Sequence, residues 1–388
     1  MSASHPSPLR YGLSEEERLL QDSARRLLDS HSPVAQLRAL RDRGDAAGID
    51  RGLWREAAAL GWSGILVPQT HGGVELGHPA AAIIAEECGR TLAALPFFAT
   101  AIVGVTALVR GRSPEQRVRI LPSLAEGACL LALAIDERAR HAPESIATVA
   151  VRCDGGYRLS GRKIFVLEGH IADHLIVSAR IGEPQRESAG PPALFLIDAA
   201  AAGVHIERTI MIDSRNAADV CLREVELGAD RRLDSGTDGA ALLEAVLDAG
   251  RAALAAELVG LARECLRRTI QHVGQRRQFG RRIGEFQSLQ HRLAHLHCEI
   301  ELAASLARAA ATAVQERLQD RPILVSAAKA KCAEAATLAA SEAIQMHGGI
   351  GMTDELDIGL FVKRIRSAAE TYGDVAFHRD RLARLHGF

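Results

Sequence analysis

Aromatic side chains are scarce: 2 Trp, 3 Tyr and 9 Phe make up 4% of 388 residues. Long apolar runs are missing too, since none approaches the ~20 residues that cross a bilayer. Met1–Arg10 contains Ser, Pro and His without an apolar stretch, so no secretory leader is expected. Net charge is equally lacking, with 47 Lys+Arg against 48 Asp+Glu. That balance excludes electrostatic attraction as the main way of holding nucleic acid or an anionic membrane. The expectation is a soluble cytoplasmic protein whose partners are neither nucleic acid nor membrane. Cysteine supplies no framework. Cys88, Cys129, Cys153, Cys221, Cys265, Cys298 and Cys332 are odd in number, scattered and without a C-x-x-C pair. This argues against disulfides and against a zinc site, and leaves inert buried thiols with no metal.

What is present is helical periodicity at both ends and alternation in the middle. Ser14 with Glu17 forms a capping-box pattern ahead of Leu20, Ala24, Leu27 and Leu28, and Pro33 ends that helix. Helical spacing continues through Leu53–Leu60, Pro79–Arg90 and Pro96–Arg110, with a loop at Val67–Gly73. From about Cys129 the period changes to two. Val149, Val151 and Cys153 alternate, Asp154-Gly155-Gly156 turns the chain, and Tyr157 and Leu159 resume, which predicts a hairpin. Further strands are expected at Leu175–Ala179, Ala193–Ile197, Val204–Ile206 and Val220–Leu227. After Gly239 three long Ala/Leu-rich segments follow, about Ala240–Val273, Phe286–Leu318 and Pro322–His347, then a shorter one near Leu356–Ala369. Long helices with short connections predict a bundle. The fold class is multi-domain α+β: a helical domain over 1–127, a middle antiparallel β domain over 128–235, and a helical bundle over 236–388.

Two segments interrupt the bundle pattern. Arg276-Arg277-Gln278-Phe279-Gly280-Arg281-Arg282 is a cationic junction between long helices, suited either to a phosphate group or to solvent. Gln345-Met346-His347-Gly348-Gly349-Ile350-Gly351-Met352 carries more glycine than a helix C-cap requires. It follows a helix instead of a strand, so it is no dinucleotide fingerprint. Glu370, in Ala369-Glu370-Thr371-Tyr372-Gly373-Asp374, reads by spacing alone as a surface residue. His291, His295 and His297 read as bundle-edge residues.

Together these segments resemble the acyl-CoA dehydrogenase family of flavoproteins over nearly the whole chain. The match rests on Arg276-x-Gln278-Phe279-Gly280 with Phe286-Gln287-x-x-Gln290, and on Gln345-x-x-Gly348-Gly349-x-Gly351. Gly72-Gly73, Glu87-x-Gly89-Arg90, and Gly161-x-Lys163 before Ala172-Asp173 add to it. The resemblance implies FAD between β domain and bundle, with Arg276 at the pyrophosphate and Phe279 and Gln287 along the same cofactor. Gln345, Gly348 and Gly349 would reach FAD across a subunit interface, and Phe165 and Leu167 would lie against the flavin. The implied reaction is α,β-dehydrogenation of an acyl-CoA thioester, a carboxylate taking the α-proton while hydride leaves for flavin N5. Glu370 falls where the resemblance puts that base. An alternative site at the start of the first bundle helix reads Asp248-Ala249-Gly250-Arg251 and holds glycine; Asp248 and Arg251 are expected to meet the CoA portion.

Two elements depart from the family. T-E-P-x-x-G-S-D is replaced by Ile135-Asp136-Glu137-Arg138-Ala139-Arg140-His141-Ala142, and W-x-T by Phe165-Val166-Leu167. The departures resemble a pimeloyl-CoA dehydrogenase small-subunit and bacterial steroid side-chain branch. Electron-transfer flavoprotein is the implied acceptor. The assembly is a homodimer, a homotetramer or an α2β2 heterotetramer with a homologous subunit. Two alternatives stand beside this: a non-catalytic or FAD-sharing partner subunit, and a flavin monooxygenase or oxidase on the same fold.

Overall fold

The computed structural model describes residues 12–182, 190–234 and 238–388. Met1–Arg10, read above as lacking a leader, and the expected boundary at 235 lie outside the described residues. Helix α1 (Glu15–His31) opens on the expected capping box. The Glu17 amide donates to Ser14 Oγ at 3.1 Å, and the Ser14 amide donates to the Glu17 carboxylate at 2.7 Å. Then come α2 (Val34–Asp42), α3 (Arg51–Ala59) and α4 (Gly77–Thr91). The segment expected as one helix from Pro96 splits into a wide π turn, Phe97–Gly104, and a short α5 (Val105–Arg110), followed by α6 (Pro114–Ala125). The wider turn brings Thr100 against the first strand. Its hydroxyl donates to the Leu131 carbonyl and accepts from the Leu131 amide, both at 3.1 Å.

The middle of the chain forms a seven-stranded curled sheet: β1 (Leu131–Ala134), β2 (Val149–Cys153), β3 (Gly156–Leu167), β4 (His174–Ile181), β5 (Pro192–Asp198), β6 (Val204–Ile210) and β7 (Asn216–Gly228). Most pairs are antiparallel, including the expected β2–β3 hairpin. β1 and β2 instead run parallel to β4, each covering part of one edge. Alternation within a strand does not reveal this, because the parallel partners are joined by long connections. β3 is bulged against β7 between Lys163 and Val166, and Phe165 sits there at φ +52°. A bulge re-aims the side chain it carries, and Phe165 is 48% exposed.

The remainder is helical. α7 (Gly239–Gln275) leads through a small hairpin of β8 (Arg277–Gln278) and β9 (Arg281–Arg282) into α8 (Gln287–Glu316) and α9 (Arg321–His347), then α10 (Ile358–Glu370) and α11 (Val375–Leu385). α7 is 37 residues long, and every residue from Ala245 to Ala262 is buried. A helix apolar on all sides is one enclosed on all sides. α4, α8, α9 and α10 pack around it, and one hydrophobic core runs through the N-terminal helices and the bundle. α4 and α7 cross at glycines: a Cβ on Gly260 would stand 1.9 Å from the Glu86 carbonyl oxygen, and one on Gly89 2.3 Å from that of Glu257. The sheet keeps a second core of its own. All seven cysteines are free. Cys88, Cys129, Cys265 and Cys332 are buried, whereas Cys153 and Cys298 are exposed, contrary to a uniformly buried set. Among the described residues no helix is long and apolar enough to cross a membrane.

Charges buried along α7 are paired. Asp248 accepts from Arg251 at 3.2 Å and from Arg321 and Arg381 at 2.9 Å. Glu257 holds Arg364 through two bonds of 2.7 Å, and Arg364 also donates to Asp213 at 2.9 Å. Removing one partner of such a set strands the others without water. On α9, Lys329 is fully buried and donates to the carbonyls of Ala369 at 2.8 Å and Gly373 at 3.2 Å, holding the turn after α10. Burial pushes its ammonium down to about 7, with Arg251 adding to the effect.

Two outcomes follow from this network. Arg364→Met, which leaves Glu257 and Asp213 buried without their counter-charge, is expected to lose about 3–5 kcal/mol of stability, read as a lower urea midpoint at unchanged slope. For Lys329 the folded value lies below the unfolded one, so between about 7 and the ordinary lysine range the unfolded chain binds more protons. Stability from this site therefore rises with pH in that window, by at most about 1.4 kcal/mol per unit. The difference between wild type and Lys329→Met, followed by urea melts at pH 7 to 8.5, is expected to show that slope.

Candidate active site

The sequence-derived cofactor residues fall into two groups. At the C-terminal end of α7, Arg276, Arg277, Arg281 and Arg282 are exposed, and among the described residues no carboxylate pairs with any of them. Phe279 and Gly280 form the two-residue tip of the hairpin at φ +53° and +81°, the mirror-image turn that suits a tight hairpin. Phe279 is 89% exposed, and the Arg281 guanidinium lies 3.9 Å from the Phe286 ring centre. The His272 ring stacks on that of His347 at 4.3 Å, bringing this hairpin beside the end of α9. Gln287, Gln345, Gly348 and Gly349 are exposed there as well. Among the described residues a Cβ on Gly348 or Gly349 would meet nothing within 4 Å, so no contact with them demands glycine at Gly349. Four unpaired cations with an open backbone and a bare aromatic fit the dianionic pyrophosphate half of FAD.

The second group lies at the other end of α7, where the sheet meets the bundle. The Ile164 amide, next to Phe165, donates to the Asp136 carbonyl at 2.7 Å. The Asp136 carboxylate is 2.8 Å from His141 Nδ1, and the His141 ring centre is 6.0 Å from that of Tyr372 and 5.1 Å from that of Phe377. Phe98, from the π turn, meets Tyr372 at 5.6 Å. Tyr372 is buried at φ +56°, and a Cβ on Gly250 would stand 2.8 Å from its ring. The space beside Gly250, the alternative base position, is thus filled by a phenol. Leu167 ends β3 and is half-buried. Glu168, the next residue, is held at φ +59° and keeps one carboxylate oxygen buried without a partner among the described residues. Burial pushes its carboxyl up to about 7, against the pull of Arg215 and Arg364.

Two expectations change. Glu370 does not reach this cleft. It ends α10 on the outer surface, 47% exposed, paired with Arg366 at 3.0 Å. With Glu334, Leu338 and Asp374 it lines an open groove of about 630 Å³, to which Tyr372 does not contribute. Two residues of turn separate an outward from an inward side chain, and residue spacing along the sequence does not tell them apart. Asp248 and Arg251 are 0% exposed, and their polar atoms are spent on each other and on Arg321, Arg381, Glu244 and the Tyr372 carbonyl, with Arg251 Nη2 also 3.4 Å from His141 Nε2. They tie helices together through contacts inside the chain. Residue spacing also passed over Tyr372, Asp136, His141 and Glu168. The available signals were a rare tyrosine before a glycine and an acid–histidine pair inside a replaced element.

The two groups are far apart on one chain. From Gly250 to Arg276 is 26 residues, roughly 39 Å of helix at 1.5 Å per residue.

Comparison with known proteins agrees with the three-part layout. The acyl-CoA dehydrogenase N-terminal, middle and C-terminal domains match residues 14–128, 135–225 and 237–386. The chain is 31% identical over 376 residues to acyl-CoA dehydrogenase IpdE2 of Mycolicibacterium smegmatis, covering 96% of this chain and 98% of that protein. Among solved structures it is similar to a variant of the Tcur3481-Tcur3483 steroid ACAD (32% identity, TM-score 0.87, 96% and 98% covered). It is also similar to the ChsE4-ChsE5 complex of Mycobacterium tuberculosis (25%, TM-score 0.87, 98% and 99%). With all three domains matched in order, and with a cationic cradle suited to FAD, this chain belongs to the acyl-CoA dehydrogenase family of flavin-dependent oxidoreductases.

Proposed function

We propose that the cleft between sheet and bundle is where an acyl-CoA thioester is converted to the trans-2-enoyl-CoA, with electron-transfer flavoprotein as the electron acceptor. The FAD of each site is held between two chains. The observation that carries this is the ~39 Å of α7 between Gly250 and Arg276, too long for one dinucleotide to touch both ends of the same chain. In this reading Arg276, Phe279, Gln287, Gln345, Gly348 and Gly349 of one copy hold the pyrophosphate half. Phe165 and Leu167 of another copy flank the flavin half, and bound FAD supplies the two-electron acceptor. The enclosed aromatic wall of Phe98, Tyr372 and Phe377 excludes water from the reacting carbons. Likeness to a steroid ACAD favours a bulky acyl group. The assembly is a homodimer or homotetramer, or pairs this chain with a homologous one.

A second reading is favoured by Tyr372 filling the space beside Gly250 while Glu370 points outward. The chain would then complete a flavin site whose base resides on a homologous partner. The visible spectrum of the protein expressed alone decides between them. The first reading expects a flavin band that bleaches on anaerobic addition of mixed acyl-CoA thioesters. The second expects a colourless protein that gains flavin only on co-expression with the partner. In either assembly, Arg276→Ala is expected to weaken FAD binding about 30-fold, the ~2 kcal/mol of one charge-assisted contact, read by equilibrium dialysis of FAD.

A further inference from the structure

The cleft poses a chemical question that its obvious residues do not answer. Removing the α-proton of a thioester needs an acceptor beside the reacting carbon. Gly250 has no side chain, and Glu370 lies on the outer surface. The ring of Tyr372 fills the space beside Gly250. Its phenol is driven upward by burial, with Asp136 and Glu168 adding to the shift, so it stays protonated. Glu137 is bound at 2.6 Å to Lys163 and accepts from Thr148. Asp248 and Glu257 are held by arginines. Glu168 faces Arg215 and Arg364, the latter anchored on Glu257, seven residues beyond Gly250 on α7 and so roughly 10 Å along the helix.

His378 is fully buried, packed on Phe377 with Nδ1 3.4 Å from Ser326 Oγ. Among the described residues, His141 is the titratable side chain that touches Tyr372 without an ion pair to an arginine or lysine. We propose that His141, oriented by Asp136, is the proton acceptor of this cleft. The tautomer is fixed by its neighbours. Arg251 Nη2 lies 3.4 Å from His141 Nε2. A guanidinium only donates, so Nε2 carries the lone pair and Nδ1–H donates to Asp136 at 2.8 Å. At 3.4 Å the arginine contact is near the limit of a hydrogen bond and yields to an incoming carbon acid. His141 and Asp136 are 6% and 15% exposed, so the pair works largely out of water. In the step, the Cα–H bond breaks and its proton passes to Nε2. The electron pair left on Cα becomes the Cα–Cβ double bond as the β-hydrogen departs with its pair, for which bound FAD would supply the two-electron acceptor. The acyl chain loses two electrons, and Asp136 balances the imidazolium.

This rests on the catalytic reading above, and α-proton exchange isolates it because exchange requires no electron transfer. The FAD-loaded protein is incubated in D2O with a 3-thia-acyl-CoA, whose sulfur replaces the β-carbon and prevents oxidation, and Cα deuteration is followed by mass spectrometry. Wild type is expected to exchange. His141→Gln is expected to slow exchange at least 100-fold while keeping the flavin band and melting midpoint. Asp136→Asn is expected to slow it less, and Glu370→Gln to leave it unaltered. 15N shifts of histidine-labelled protein are expected to show the Nδ1–H tautomer in wild type and its loss in Asp136→Asn, a readout independent of turnover. Exchange that persists in His141→Gln, or is abolished instead in Glu370→Gln or Glu168→Gln, overturns the assignment. If acyl-CoA still bleaches the wild-type flavin in those cases, only the base is wrong. A wild type that neither exchanges nor bleaches overturns both.

Discussion

Burial of α7 is the constraint on which the rest depends. From Ala245 to Ala262 every residue of the helix is buried, so each polar group it carries must find its partner inside the protein. Asp248 gathers Arg251, Arg321 and Arg381, and Glu257 gathers Arg364 and, through it, Asp213. These contacts come from α9, α10, α11 and the loop before β7. Satisfying α7 therefore fixes where the bundle, the last helix and the sheet stand relative to one another.

The same helix sets the distance between two chemistries. Its N-terminal half backs the enclosed cleft with Gly250 and Arg251, and its C-terminal end presents the cationic hairpin. The rod between them separates an aromatic, largely buried region from an exposed, positively charged one. In the proposed assembly a flavin dinucleotide would use both kinds of surface, with a second chain supplying the one that is out of reach.

Enclosure also explains the character of the cleft. The π turn and the left-handed Tyr372 are local irregularities that bring two aromatic rings together, and the β3 bulge turns a third, Phe165, outward. Irregular backbone costs free energy and persists where surrounding contacts over-determine it. Lys329, bonded to the carbonyls on either side of the Tyr372 turn, is such a contact. It is itself buried at the expense of its charge.

Local periodicity was enough to foresee the helices, the β2–β3 hairpin and the α1 cap, because those depend on neighbours a few residues away. The Arg276–Arg282 and Gln345–Gly349 segments were legible for the same reason: four cations around one turn and surplus glycines are local facts. The parallel pairing of β1 and β2 with β4 was not, since it joins residues distant in sequence. Nor was the direction of a side chain. Glu370 and Tyr372 stand two positions apart, yet one is solvated and the other packs on Gly250, a residue more than a hundred positions earlier. Asp248 and Arg251 read as contacts to CoA, and only the packing of α9 and α11 over them spends their charges inside the protein. Which elements form, and where charge and glycine accumulate, is written locally along the chain. Which charges are buried, which carboxylate faces out and which histidine faces in follow from packing, because burial is a property of what arrives from elsewhere in the chain.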